Sequence, residues 1–255
     1  MSLVEFAQDG SVGLITLNRP PVNALSEELS ADLTVAIQHA EDPSVRAVVI
    51  YGDPHFAAGA DIKGFQAAFD AGVKDELATT LATVIRRLEQ LRKPTIAAVQ
   101  GFALGGGLEL ALGADFRYLA DNAKVGQPEI LLGIIPGAGG TQRLPRVVGF
   151  QIAKEMNFSG RQVGAEEALA IGLADKVLPV EELLEVALGD AAEWATKATL
   201  GLAAVKRAMG TGWGRPIDEA MKAEADAFQD VFFTEDAKEG VAAFIEKRKA
   251  DFTGQ

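Results

Sequence analysis

Two glutamates stand where carboxylates are costly. Glu109 follows three consecutive glycines, Gly105, Gly106 and Gly107, and is flanked by Leu108, Leu110 and Ala111; twenty positions on, Glu129 precedes Ile130, Leu131 and Leu132 and follows the turn-forming Gly126 and Pro128. Glycines let a backbone approach a ligand closely, and the first N–H groups of the helix expected to begin there have no partner within it. The start of such a helix favours negative charge. Two desolvated carboxylates beside an anion-accepting turn are the parts of acid and base chemistry, because their environments can push their pKa values apart. The structural alternative is a Glu109 that caps a local network and a Glu129 exposed on a loop.

Further glycine-rich segments belong to the same pattern. Ala57, Ala58, Gly59 and Ala60 within FAAGADIKGF, Phe56 to Phe65, read as a small-residue loop that leaves room for a ligand, or simply as a tight connection. Gly137 to Gly140, followed by TQRLPRVVG, suggest a second turn with exposed N–H groups ahead of a helix. Nucleotide templates fail on these segments. Gly59 and Gly64 have Walker A spacing but are followed by Phe65 and Gln66; Gly105 and Gly107 begin a dinucleotide fingerprint whose sixth position is Leu110, and Gly137 and Gly139 begin one whose sixth is Gln142. What remains is backbone amides offered to one developing oxyanion, a device that stabilises enolates and tetrahedral intermediates.

The elements that must position these residues follow from periodicity. Val12 to Leu17 alternates as a strand and Arg46 to Tyr51 is a β-branched strand; between them Ser26 to His39 reads as a helix with Ser26 as N-cap and Leu29, Leu33 and Ile37 on one face. Strand, helix, strand is the order of a parallel α/β sheet. A helix is expected from Val73 to Arg92, then a strand from Thr95 to Val99 that leads into the glycine turn, and short strands at Asp115 to Leu119, Ala123 to Val125 and Asp175 to Leu178. Ala191 to Met209, Pro216 to Phe232 and Glu235 to Lys249 read as helices. Composition narrows the class. With 255 residues, 48% of them hydrophobic, the chain can bury a substantial core, and a net charge of −12 argues against general affinity for nucleic acid or an anionic membrane. The absence of cysteine removes thiolate chemistry and Cys-based metal sites and fits a reducing, cytoplasmic setting. The two histidines, His39 and His55, show no metal-binding spacing, and no apolar run approaches the roughly 20 residues of a membrane span.

FAAGADIKGF, then GFALGGGLELALGAD, then GQPEILLGIIPGAGGTQRL, in that order and spacing, resemble the enoyl-CoA hydratase (crotonase) family, and TEDAKEGVAAFIEKRKADF at Thr234 to Phe252 resembles its C-terminal helix. The likeness covers nearly the whole chain. It implies an α/β fold, a crotonase-like spiral of repeated ββα units over residues 1–198, with a helical C-terminal subdomain over 199–255 used in trimerisation. It implies an enoyl-CoA hydratase, adding water reversibly to a 2-enoyl-CoA to give a 3-hydroxyacyl-CoA, as in fatty-acid β-oxidation. A double-bond isomerase or other crotonase-type acyl-CoA reaction, and a non-catalytic acyl-CoA binding protein, remain open. The only coenzyme implied is the CoA of the substrate, with no metal, and the partners implied are further copies of the chain in a trimer or hexamer.

The family pattern maps two oxyanion amides onto Ala60 and Gly106, and the acid–base pair onto Glu109, which activates water, and Glu129, which protonates carbon. The residues alone leave open which glutamate is base and which is acid. Ala58, Ala60, Ile62 and Lys63 correspond to positions lining the CoA nucleotide, Gln127 and Gly137 to positions supporting the reacting end, and Phe228, Phe244 and Lys247 to positions reaching CoA, some of them from a neighbouring subunit. By residue type alone Lys63 could equally be a solvated lysine, Phe228 and Phe244 core or interface residues, and Lys247 part of a basic helix end. Two departures from the pattern are visible: the segment Pro20 to Asn23 is one residue shorter, and Leu108 replaces the family's frequent small residue or cysteine.

Overall fold

A computed structural model describes residues 2–72 and 77–255, apart from the side chains of Lys63 and Leu77. In chain order the strands are β1 (Val4–Asp9), β2 (Val12–Leu17), β3 (Ala47–Gly52), β4 (Thr95–Val99), β5 (Phe102–Leu104), β6 (Phe116–Ala120), β7 (Lys124–Gly126), β8 (Gln162–Gly164) and β9 (Lys176–Leu178). The helices are α1 (Glu27–Ala40), α2 (Ile62–Ala71), α3 (Leu77–Glu89), α4 (Gly106–Gly113), α5 (Gly140–Val148), α6 (Phe150–Ser159), α7 (Ala165–Ala170), α8 (Leu183–Ala195), α9 (Thr199–Gly212), α10 (Ile217–Phe232) and α11 (Glu235–Glu246). A six-stranded sheet runs β1-β2-β3-β4-β6-β9 and a three-stranded one β5-β7-β8. Only the β1–β2 pair of the larger sheet is antiparallel.

Strands in a mostly parallel sheet are covered on both faces, so β-branched and small residues fill them without interruption. In β3, Val48 and Ile50 face the core built with Leu29, Leu33 and Ile37 of α1 and Ile85 and Leu88 of α3, while Ala47 and Val49 face Leu183, Ala187 and Ala191 of α8. Each pass through the centre sends one strand to the large sheet and a short one to the small sheet: β4 then β5, β6 then β7. The bridges Leu25↔Ala60 and Ala57↔Ala103 attach two loops to the small sheet. That is how the 57–60 segment comes to lie beside the glycine turn.

The structure differs from the sequence reading in definite places. The end of the FAAGADIKGF stretch is not loop: Ile62–Ala71 is helical, with Ile62 and Phe69 exposed. β1, β5 and β8 are strands that the sequence did not announce, and Thr196 to Ala198 break the expected Ala191 to Met209 helix into the end of α8 and the start of α9. Residues 73–76 of the helix expected from Val73 lie outside the described residues. Ser26 does cap α1, accepting from the Leu29 N–H at 3.2 Å.

The other end of α1 is closed by a buried lysine. Lys93 Nζ donates to the carbonyls of Ala40 (2.6 Å) and Asp42 (2.8 Å) and is 5% exposed. Burial pulls its pKa down to about 8. A neutral amine keeps two N–H bonds, enough for both carbonyls. Between that pKa and the unfolded value of about 10.4 the unfolded chain binds the extra proton, so this group's contribution to stability grows as pH rises through that interval and is lost as pH falls through about 8. Urea midpoints measured from pH 7.5 to 10.5 should therefore rise more steeply in the parent than in Lys93→Met.

Candidate active site

Gly105, at φ +52°, turns the chain from β5 into α4. All eight residues of α4 are buried, Glu109 being 3% exposed. Close approach dictates the glycines: a Cβ on Gly107 would lie 2.0 Å from the Ala57 carbonyl oxygen, and one on Gly105 would lie 3.0 Å from Glu129 Oε1. The 57–60 segment is thereby pressed against the first turn of α4, and Glu129 stands over the residue where that helix begins.

Two amides at this junction have no acceptor. Leu25 N–H donates to Gly59 O and Asp61 N–H to Leu25 O, both at 2.8 Å. In a trans peptide the N–H of residue 60 points opposite to the carbonyl of residue 59, so the Ala60 N–H faces away from Leu25. Gly106 is the first residue of α4, and its N–H has no partner within the helix. Among the described residues neither N–H makes a hydrogen bond. Ala60 N lies 3.8 Å from where a Cβ on Gly106 would sit, and Leu25 Cδ1 and Leu81 Cδ2 approach that same point to 3.1 and 3.0 Å. Two free donors therefore border one small, apolar-walled space.

Two carboxylates face the same turn. Glu109 Oε1 accepts from the N–H groups of Ala138 and Gly140, each at 2.7 Å, and the Gly139 N–H also bears on the carboxylate, while Oε2 takes no hydrogen bond of ordinary geometry from the described residues. Burial raises the Glu109 pKa, opposed by the Gly140 and Ala138 N–H groups and the charge of Arg143. Glu129 opens a 3-10 turn, Glu129–Leu132. Burial, with the charge of Glu109 adding to it, raises its pKa to about 7. The two acids are linked through Gln127, which is fully buried. When Glu129 is ionised, the Gln127 carboxamide, with its nitrogen toward that carboxylate, donates to Oε1 at 2.9 Å and Oε2 at 3.1 Å. Its amide group also packs against Gly140, the residue that holds Glu109.

This arrangement separates two roles. Glu109 is a carboxylate whose ionised form is held by two N–H donors, with one oxygen left to take a proton from water. Glu129, partly buried, lacking the paired backbone N–H donors that hold Glu109 and repelled by Glu109, has its pKa raised to about 7 and so keeps a proton near neutrality.

The other residues expected at the site are dispersed. Gly137 abuts Ala78 of α3 and makes no hydrogen bond among the described residues; its neighbours Ala138 and Gly140 supply the N–H groups on Glu109. The Ala58 N–H is taken by Val22 O at 3.0 Å, and the Ile62 side chain is 58% exposed at the start of α2. Lys63 falls in α2, but its side chain lies outside the described residues. Phe228 on α10 and Phe244 on α11 are exposed, and Lys247 ends α11 in the left-handed region at φ +56°. No hydrogen bond, ring contact or ion pair among the described residues joins these three to the carboxylates within the protomer.

No group of three or more His, Asp or Glu side chains among the described residues could hold a metal ion, and none of the helices there is long and apolar enough to cross a membrane. The family model described as enoyl-CoA hydratase/isomerase matches residues 7–255. The chain is 44% identical over 249 residues to a crotonyl-CoA hydratase of Syntrophomonas wolfei, covering 96% of this chain and 95% of the relative. It is 43% identical over 251 residues to the mitochondrial enoyl-CoA hydratase of Pongo abelii, covering 97% and 86%. The crystal structure of an enoyl-CoA hydratase from Bacillus anthracis superposes with a TM-score of 0.91 at 36% identity, over 99% of this chain and all of that one.

Proposed function

The chain belongs to the enoyl-CoA hydratase/isomerase family, and we propose that it hydrates 2-enoyl-CoA thioesters through Glu109, Glu129 and the amides of Ala60 and Gly106. It is an enoyl-CoA hydratase with the crotonase fold. The observation that carries the mechanism is the pairing of two unused N–H groups with two carboxylates of different basicity around the start of α4.

The thioester oxygen sits between the Ala60 and Gly106 N–H groups, which take up the negative charge that forms there. Glu109 Oε2 removes a proton from water as the water oxygen bonds to C3. The C2=C3 electrons move toward the thioester oxygen, and Glu129 delivers its proton to C2. One turnover leaves Glu109 protonated and Glu129 ionised, so one proton must pass back between them or through solvent before the next. The CoA of the substrate is the only coenzyme this requires. Ala58, Ile62 and Lys63 are assigned to the CoA nucleotide, and Gln127, through Glu129, to the reacting end.

The protonation states give a pH profile with its signs fixed. kcat/KM rises with pH as Glu109 ionises and falls with unit slope as pH passes about 7, where Glu129 loses the proton it must donate. Glu129→Gln should remove the alkaline limb. Activity itself is tested by loss of the conjugated enoyl absorbance of crotonyl-CoA. Faster conversion of a 3-enoyl-CoA than hydration of the 2-enoyl isomer would favour the isomerase instead, and tight acyl-CoA binding with no turnover would favour a binding protein.

The proposal extends to a trimer, alone or paired into a hexamer, built through α9 to α11. Phe228, Phe233, Phe244 and Ile245 expose apolar surface in the single protomer, Phe244 to 84%, and such patches mark association surfaces. Phe228, Phe244 and Lys247 then approach CoA in the assembly. Sedimentation should give three or six times the chain mass; a monomer would refute this part. Cytoplasmic residence is the reading that the cysteine-free composition supports.

A further inference from the structure

The two amides come from different parts of the chain, and an oxyanion site works only if both donors stay aimed at one oxygen. Three polar side chains outside the carboxylate pair tie those parts together. Arg19 sends Nη1 to the Ala24 carbonyl at 2.8 Å and Nη2 to Asp61 Oδ2 at 2.5 Å. One planar guanidinium thus spans both sides of the Leu25↔Ala60 bridge, ending on the residue that follows Ala60. Arginine suits this because its fork fixes two acceptors at once.

Asn23 is 1% exposed and sits in the left-handed region at φ +51°. Its Oδ1 accepts from the Arg19 N–H and its Nδ2 donates to the His55 carbonyl, both at 2.7 Å. His55 completes the connection to the other arm. Its Nδ1 accepts from the Phe102 N–H at 3.2 Å, which puts the ring proton on Nε2, and its ring stacks on Phe102 with centroids 4.6 Å apart. Phe102 opens β5, the strand that runs into Gly105 and Gly106. Main-chain bonds from Ala57 N–H to Phe102 O and from Leu104 N–H to Ala57 O join the same two arms.

We infer that Arg19, Asn23 and His55 are positioning residues that hold the Ala60 and Gly106 amides on one thioester oxygen. The clamp rests on the oxyanion reading proposed above. Small displacements of such donors are expensive: a shift of about 1 Å can cost 10²-fold in rate. Arg19 and His55 are partly exposed, so their replacement need not empty the core.

The test measures crotonyl-CoA kinetics for the parent, Arg19→Gln, Arg19→Lys and His55→Phe, alongside thermal melting and the carbonyl stretching frequency of bound, carbonyl-13C-labelled butyryl-CoA. Expected for Arg19→Gln and His55→Phe is a fall in kcat of roughly 10- to 100-fold with KM within about twofold, and a carbonyl frequency that moves back toward its free value. Arg19→Lys, able to reach one acceptor but not both, should fall between. Unchanged kcat and frequency overturn the clamp. So does a rise in KM alone, which would make Arg19 a substrate contact, or a lowered melting point with undisturbed frequency. A parent that polarises the bound carbonyl but hydrates no 2-enoyl-CoA would refute the hydratase reading, while the frequency changes in the variants would still decide the clamp.

Discussion

Glu109→Gln lowers kcat for 2-enoyl-CoA hydration by about 10³-fold, within the 10²- to 10⁴-fold range of general acid–base catalysis, and leaves folding and KM nearly unchanged. Glutamine has the shape of glutamate and one remaining carbonyl oxygen. That oxygen can keep the two N–H bonds from Ala138 and Gly140 that now end on Oε1. The NH2 group then occupies the place of Oε2, where it donates to water instead of accepting from it. The base is lost and the scaffold is kept. Glu129→Gln has an effect of the same order, because an amide cannot deliver a proton to carbon. The double variant should fall no further than the worse single one, since a pair acting in one step is not additive. Near-UV circular dichroism and kcat for the three variants check this; near-normal hydration by either single variant would end the two-carboxylate mechanism.

Gly106→Pro is expected to cost 10²- to 10³-fold in kcat, about 3 to 4 kcal/mol, by deleting one oxyanion donor. The substitution is informative because the fold does not use that N–H. Proline is favoured at the first position of a helix, where the missing N–H would be unpaired in any case. The added Cβ meets Leu81 Cδ2 at 3.0 Å and Leu25 Cδ1 at 3.1 Å, the ends of two flexible side chains, and Ala60 N at an ordinary contact distance of 3.8 Å. Gly106→Ala carries the same Cβ and retains the donor, so it separates the cost of the Cβ from the combined effect of the proline ring and the lost donor. Equal activity of the alanine and proline variants would remove Gly106 from the oxyanion site.

The parts of this molecule that the sequence disclosed are those with strong local signals. β2 and β4 have alternating or β-branched runs bounded by turn residues, and α1 has both a cap and an apolar face. The two glutamates stood out because ionisable groups among apolar neighbours contradict their surroundings. β5 and β8 did not stand out because each is only three residues long and is held by partners distant in the chain. Helix α2 was hidden by the small residues before it, although Ile62, Phe65 and Phe69 are spaced for a helix face. The Ala138 and Gly140 donors were foreshadowed only as a turn with free N–H groups. Which carboxylate they would hold is set by the packing of α4 against α5, and no local pattern carries that. Arg19, Asn23 and His55 gave no sign because each acts on backbone groups, whose positions a sequence does not print.

The most direct test of the account is a crystal structure of the protein with butyryl-CoA, the saturated and unreactive counterpart of the crotonyl substrate. The account predicts the thioester oxygen within hydrogen-bond distance of both Ala60 N and Gly106 N, and C2 and C3 between the Glu109 and Glu129 carboxyl groups. A thioester bound elsewhere, or one whose oxygen meets only one of the two amides while a carboxylate faces away from C2 and C3, would contradict it.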